Sequence, residues 1–369
     1  MNINVLHILN GLSLGGTELL IYDLCRQQNK HGINIFLLSA KDGILKQKFH
    51  ELTVPLTISS RESFWAINHI LLIRKIVRSR KIDIIHAHQP IDALYACIAT
   101  RGIGIKIILT HHGYKSTWKV NLILKLIFPR VDLHVFVSNG FLDRFLNDSP
   151  FKKVNNVKII YNGIDFTRLN PINQNIRTQL GINQHAIVLG MVGNFVFWKD
   201  QLTILKAFSI IAQSQQDLIL LLIGSKAQSN PELYDNCVIY CKENNLENQV
   251  KFLGTRSDIG DILNILDLFI FSSIEDTFGI AGIEAIFAGV PTIMSNIPPF
   301  YEIYDNGKFT IFFETRNEKD LVEKINYFID NREKVKSNCV KAKAWVLEKF
   351  SIEKHLLQLK KTYSDILSK

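Results

Sequence analysis

The stretch 157-VKIIYNGIDFTRLNPINQ-174 decides how the chain divides. From Tyr161 to Gln174 it is dense in Asn, Gly and Pro, the composition of a connector. The same rhythm runs on either side of it. Upstream, apolar runs at 4–9, 34–39, 82–87, 106–110 and 133–138 alternate with helical patterns; downstream the alternation restarts at 186–192 and continues at 217–224, 250–254, 266–272, 290–295 and 309–313. The runs are apolar at consecutive positions, so each strand is covered on both faces. Between strands the spacing is helical, as at Leu202, Leu205, Phe208 and Ala212. Covered strands separated by helices make parallel sheets. The expected fold is α/β, two doubly wound domains in tandem spanning 1–165 and 166–350, and 369 residues suit two cores of ordinary size. The last segment, 351–369, places Ile352, Leu356, Leu359, Tyr363 and Ile366 on one face of a helix that must pack on existing surface. Ligands of open α/β domains bind beyond the carboxyl ends of the strands, so two such domains suggest a cleft where they face each other.

Composition excludes several classes. The apolar content of 47% supplies both cores, and five cysteines, none in a CxxC pair, fit a reducing compartment. No apolar run approaches the roughly 20 residues that span a bilayer, and the N-terminus lacks a basic leader with an apolar core, which points to a soluble or peripheral cytoplasmic protein. The net charge of +9 is unevenly spread: residues 1–165 carry 21 Lys and Arg against 11 Asp and Glu, and residues 166–369 carry 22 against 23. A basic half suits nucleic acid or anionic lipid, or is a solvated surface. No nucleic-acid-binding motif supports the first. The segment 116-STWKVNLILKLIFPR-130 has the letters of a helix lying on a membrane, and equally of a buried helix whose lysines reach out to water.

Candidate chemistry collects where strands end. In 10-NGLSLGGTELL-20 the glycines are too irregular for a dinucleotide fingerprint, yet Gly15 and Gly16 would let a backbone approach an anion at a helix N-terminus; a tight β-α turn explains the same letters. Histidines cluster at 86-HAHQP-90 and 110-THHG-113, without the Cys or acids that would favour zinc, and His111 or His112 is placed to bond a polar substrate. In 190-GMVGNFVFWKDQ-201 the expectation is that Lys199 stands in the first turn of a helix, suited to phosphate, with a surface lysine as the alternative. In 272-SSIEDTFGIAGIEAIFAG-289 a second strand-loop-helix unit puts Glu284 one turn into its helix, where a carboxylate can accept from both hydroxyls of a ribose; Phe278, Ile283 and Phe287 read as packing.

Taken together, the Gly-Gly loop, HAH, THHG, 137-VSN-139, IYNGID, VGNF with its lysine, KFLGTRSDI and EAIFAGVPTI resemble, in order and over nearly the whole length, glycosyltransferase family 4, the retaining sugar transferases of GT-B fold. The resemblance implies an acceptor-binding N-terminal domain, completed by the C-terminal helix, and a donor-binding second domain. It implies that Gly16 lies near the donor phosphates and acceptor, that His112 contacts the donor sugar, that Lys199 holds the diphosphate, that Asp276 with Phe278, Gly279 and Ile280 lines the donor, and that Glu284 binds ribose. His112, Lys199 and Asp276 are the implied catalytic set. Two positions depart from the family: Asn194 stands where an Arg is usual, with Arg256 as the candidate to compensate, and Asp276 stands where a Glu is usual. The implied reaction moves a hexose or N-acetylhexosamine from a nucleotide-sugar, UDP-linked by preference, to a glycan or lipid-linked acceptor in surface polysaccharide synthesis, with no cofactor, no metal and no nucleic acid, and with peripheral contact to an anionic membrane. A nucleotide-sugar epimerase of the same fold is the alternative enzyme. A hinge-closing sugar-binding protein is the non-enzymatic one, which the missing export signal disfavours.

Overall fold

The computed structural model describes residues 2–13, 15–28, 32–61 and 66–368. Met1, Leu14 of the Gly-rich loop and Lys369 lie outside these. The chain forms two compact units, Met1–Asp165 with Phe350–Lys369, and Phe166–Lys349.

The first unit holds β1 (Ile3–Leu9), β2 (Ile33–Ser39), β3 (Leu56–Ile58), β4 (Ile84–Ala87), β5 (Lys106–His111), β6 (Leu133–Phe136) and β7 (Val157–Ile159), in the order β3-β2-β1-β4-β5-β6-β7. The second holds β8 (Ile187–Val192), β9 (Leu218–Ile223), β10 (Val250–Gly254), β11 (Leu268–Phe271), β12 (Thr292–Ser295) and β13 (Ile311–Phe313), in the order β10-β9-β8-β11-β12-β13. All neighbours pair in parallel. In both sheets the chain lays its first three strands toward one side, ending at β3 and at β10, and then crosses back to the other side of the first, so each has a topological switch point, between β1 and β4 and between β8 and β11, where the loops part and a ligand can enter.

All eleven apolar runs marked in the sequence become strands. Two edge strands, β3 and β7, escaped it; each has three residues and, unlike β13, none that is buried. Helix Trp118–Ile127 divides its apolar side chains: Ile123, Leu124 and Ile127 enter the core, whereas Trp118 is 72% exposed, Leu122 49% and Leu126 52%. A second apolar stripe therefore faces outward. The segment 351–369 forms helix Ile352–Leu367, which sets Ile352, Leu356, Leu359, Tyr363 and Ile366 into the same apolar cluster as Val5, Leu24, Ile35 and Ile84. At about 1.5–3 kcal/mol for each such side chain, this one helix supplies burial comparable to the net stability of a domain.

The junction is no loose linker. Ile164 donates to the Phe350 carbonyl at 2.9 Å and accepts from Ile352 N–H at 3.0 Å, and buried Asp165 pairs with Arg26 at 2.9 Å. Gly163 is required here by space, since a Cβ would stand 2.5 Å from the Cβ of His355. The conformational freedom expected of Asn-Gly letters is spent on close packing against the C-terminal helix.

Candidate active site

In the second unit the switch point brings together the loops after β8 and β11. Ser272 Oγ donates to the carbonyls of Lys199 (3.0 Å) and Asp200 (2.8 Å), and Ile274 N–H donates to the Trp198 carbonyl (3.0 Å), so the two loops are laced into one surface. Lys199 is not in the first turn of a helix as expected. The helix begins at Gln201, and Asp200, in left-handed conformation, precedes it. The backbone must turn sharply there to leave the strand, which holds Lys199 in the loop and aims its side chain across to β11. Its ammonium lies 2.6 Å from Asp276 Oδ2, 3.3 Å from Ser273 Oγ and 4.2 Å from the centre of the Phe271 ring. An ammonium has three N–H groups, so one remains for a further acceptor.

Asp276 serves its own loop as well. Its Oδ1 accepts from the backbone N–H groups of Thr277 (2.7 Å), Phe278 (3.1 Å) and Gly279 (3.1 Å). Burial by itself would raise its pKa; the Lys199 charge and hydrogen bond, together with those amides, outweigh it and hold the carboxyl below the usual aspartate value. Gly279 then enters helix Ile280–Phe287 at φ +79°, and a Cβ there would stand 2.7 Å from the Phe300 ring and 2.9 Å from Tyr304 Oη. Only glycine meets both demands. The first amides of that helix, beginning with Ile280, have no carbonyl of their own helix to bond. Phe278 is buried, as a packing residue is.

Glu284 lies in the same helix, buried, and is paired with Arg168 from the short 3-10 helix Phe166–Leu169. Sequence reasoning missed Arg168, having read its surroundings as a connector. The available signal was physical: a carboxylate on an otherwise apolar helix needs a cation. Phe166, two residues earlier, stacks on Phe287 at 4.5 Å and fixes the segment against that helix.

The two positions tied to the missing arginine have partners of their own. Asn194 is exposed and its Oδ1 accepts from Ser225 N–H and Oγ, both at 2.9 Å, so it ties the β8 loop to the β9 loop and brings no charge. Arg256, the candidate to compensate, pairs with Asp258 through two nitrogens.

In the first unit the carboxyl ends of β1, β4 and β5 carry histidines. Gly15 precedes helix Gly16–Gln27, so Gly16 opens it, and the Glu18 carboxyl folds back over Gly15. His111 is absorbed by the core: its Nε2 meets His134 Nδ1 at 3.1 Å and its ring stacks on Phe136. His112 is bonded through Nε2 to His88 Nδ1 (2.9 Å), and His88 Nε2 meets His7 Nδ1 (2.9 Å). His86 is held by Tyr363 Oη (2.7 Å) and Thr110 Oγ1 (2.6 Å). Burial first, then neighbouring imidazoles, lowers the pKa values of His7 and His112 to about 3 and those of His86 and His88 far below 6.5. All four rings are neutral at pH 7. Ring nitrogens of His7, His86 and His88 come within 4.8 Å of one another, as metal ligands do. A metal would have to displace the hydrogen bonds they already make, with no carboxylate among the three to offset its charge. Sequence reasoning also missed a buried ion pair of Arg61 with Asp92, at the start of helix Pro90–Ala99; burial raises the Asp92 pKa to about 7 against the pull of Arg61.

Two doubly wound units, the second with a lysine, a short helix N-terminus and a buried glutamate at its switch point, make a GT-B fold. Family models agree: Glycosyltransferase Family 4 matches residues 14–168 and Glycosyl transferases group 1 matches residues 172–344. The chain belongs to the group 1 and family 4 glycosyltransferases and is a glycosyltransferase. It is 24% identical to N-acetyl-alpha-D-glucosaminyl L-malate synthase of Bacillus anthracis, covering 96% of this chain and 95% of that one, and 25% identical to the O-antigen biosynthesis glycosyltransferase WclY of Escherichia coli, covering 86% of each. Among solved structures, Anabaena Alr3699/HepE in complex with UDP and glucose superposes with a TM-score of 0.86 at 21% identity, over 98% of this chain and all of that one, a likeness of fold.

Proposed function

We propose that the protein is a retaining glycosyltransferase that takes a hexose or N-acetylhexosamine from a UDP-sugar bound on its second unit and delivers it to a glycan or lipid-linked acceptor during bacterial surface polysaccharide synthesis. The observation that carries this reading is the Lys199–Asp276 pair beside the N-terminus of helix Ile280–Phe287, with Glu284 one turn further along. Breaking a sugar-phosphate bond leaves negative charge on the departing diphosphate and positive charge at the sugar carbon. An ammonium and helix amides fixed in place stabilise the first without reorganising. Asp276 holds Lys199 in position and accepts from the loop amides, so on this reading it acts chiefly by orientation. Glu284, paired with Arg168, accepts from the ribose hydroxyls.

The donor base and the polysaccharide follow from what similar proteins handle: Alr3699/HepE is found with UDP and glucose, and WclY serves O-antigen biosynthesis. No divalent metal is needed if Lys199 neutralises the diphosphate. The test is incubation with UDP-sugars and an extract of lipid-linked glycans from the source cell, read by mass spectrometry and by NMR of the new anomeric centre. The expected result is transfer with retained configuration, unaffected by EDTA. Loss of transfer on chelation, or inversion at the anomeric carbon, would contradict it.

The acceptor side includes contact with an anionic membrane at the inner face of the cytoplasmic membrane. Trp118, Leu122 and Leu126 project from helix Trp118–Ile127 beside Lys119 and Lys125, and helix Ile67–Ser79, packed on the other side of helix Pro90–Ala99, exposes Ile67 and Leu71 near Arg74, Lys75 and Arg78. Each such cation contributes roughly 1 kcal/mol at an anionic surface. Sedimentation with phosphatidylglycerol vesicles should show binding at low salt that weakens with Trp118→Ala and Leu122→Ala together. Absence of binding at low salt would remove this part of the reading. Among the described residues no helix is long and apolar enough to cross a membrane.

A further inference from the structure

His7, on β1, His88, just beyond β4, and His112, just beyond β5, form one line of contacts, Nδ1 of His7 to Nε2 of His88 and Nδ1 of His88 to Nε2 of His112, each 2.9 Å. The rings meet edge to edge and nearly parallel, with centroids 5.2 Å apart at both steps and interplanar angles of 13° and 27°. Behind them the space is nearly filled: His86, His88, Thr110, His112, Asn162 and His355 surround a cavity of only about 10 Å³. No substrate group enters there, so the inner rings serve the outer one.

A neutral imidazole carries one N–H and one bare nitrogen, and each nitrogen-to-nitrogen contact requires one proton. For three rings in line this leaves two states. In one, His7 Nδ1 donates to His88 and His88 Nδ1 donates to His112, which then carries its own proton on Nδ1. In the other, His112 Nε2 donates to His88 and His88 Nε2 donates to His7, and His112 Nδ1 is bare. Whether His112 Nδ1 is a donor or an acceptor is thus tied to the tautomer of His7, 2 rings away. The second ring nitrogen of a functional histidine is commonly set by such a partner.

We propose that His88 is a positioning residue which, with His7, fixes the tautomer that His112 presents to the substrate. This rests on the reading of His112 as the histidine that meets the donor sugar. The test uses the full-length enzyme, with ring nitrogens labelled with ¹⁵N and the His112 signals assigned by their loss in His112→Asn. One tautomer of His112 is expected in the wild type and a redistributed population in His7→Phe and His88→Leu. Kinetics supply the second readout. An Asn side chain can occupy the place of Nδ1 and keep the bond to His112, whereas Gln mimics Nε2 and does not. His88→Asn should therefore retain kcat within a few-fold, while His88→Gln and His88→Leu lose roughly tenfold or more with donor KM unchanged, as a mis-set tautomer of a catalytic histidine costs up to about 10⁴ in kcat elsewhere. The same His112 tautomer population in wild type and His7→Phe, or equal kcat for His88→Asn and His88→Gln, would overturn the proposal. Should His88→Leu fail to fold, His7→Phe and the Asn/Gln pair still decide. Full activity in His112→Ala would instead remove the reading of His112 and leave the tautomer measurement standing.

Discussion

At the residue scale, three acids in one stretch have three different situations. Glu275 is exposed, Asp276 is locked to Lys199 and to its loop amides, and Glu284 is buried against Arg168. Spacing distinguished Glu284 as a helix residue but carried no information on Arg168, more than a hundred positions away, because a side-chain ion pair has no local periodicity. Removing one partner of a buried pair leaves an uncompensated charge, so Arg168→Ala should destabilise the second unit by roughly 3 kcal/mol. Urea unfolding followed by circular dichroism measures this. A change below about 0.5 kcal/mol, the range of ordinary surface substitutions, would mean that Glu284 does not depend on Arg168.

At the element scale, what was legible was what repeats. Buried strands of four to seven residues announce themselves by continuous apolar runs, and the C-terminal helix by its spacing. Of the three-residue edge strands, β13 shows in the apolar run 309–313, whereas β3 and β7 bury no residue and lack enough letters to form a pattern. Lys199 was misplaced for a related reason: helix starts are set by backbone turns such as the left-handed Asp200, which no periodicity reveals. The helix Ile280–Phe287 depends on one such turn. Gly279→Ala would force a Cβ toward Phe300 and Tyr304 at φ +79°, at an expected cost of roughly 1–3 kcal/mol, and would shift the loop amides that Asp276 accepts from and those that the helix presents. Lower unfolding free energy together with weaker nucleotide affinity is expected. Unchanged nucleotide affinity in a destabilised but folded variant would separate the helix start from donor binding.

At the scale of the molecule, the first sheet is stocked with histidines that stay neutral. Burial is the leading cause in each case, taking His7 and His112 to about 3 and His134 and His355 to about 4. In the unfolded chain these groups take up protons near pH 6.5 and in the folded one they do not until about pH 4 or lower. The unfolded state therefore binds more protons in that window, and stability is complete above pH 6.5 and falls as pH drops toward 4, each histidine adding up to about 1.4 kcal/mol per pH unit. Urea midpoints of the first unit should change little from pH 7.5 to about 6.5 and fall from there to about 5.5. A flat profile would show that these rings are not shielded from water.

The central claim is that the second unit grips a nucleotide-sugar through Lys199, Asp276 and Glu284. Its most direct test is the melting temperature of the wild type and of Glu284→Ala across a series of UDP-, GDP- and ADP-sugars, because a ligand that binds only the folded state raises stability by mass action. A UDP-sugar should raise the wild-type Tm in a concentration-dependent way and leave that of Glu284→Ala unmoved. An equal rise in both proteins would contradict the assignment of Glu284 to the ribose, and no rise with any nucleotide-sugar would contradict the donor site itself.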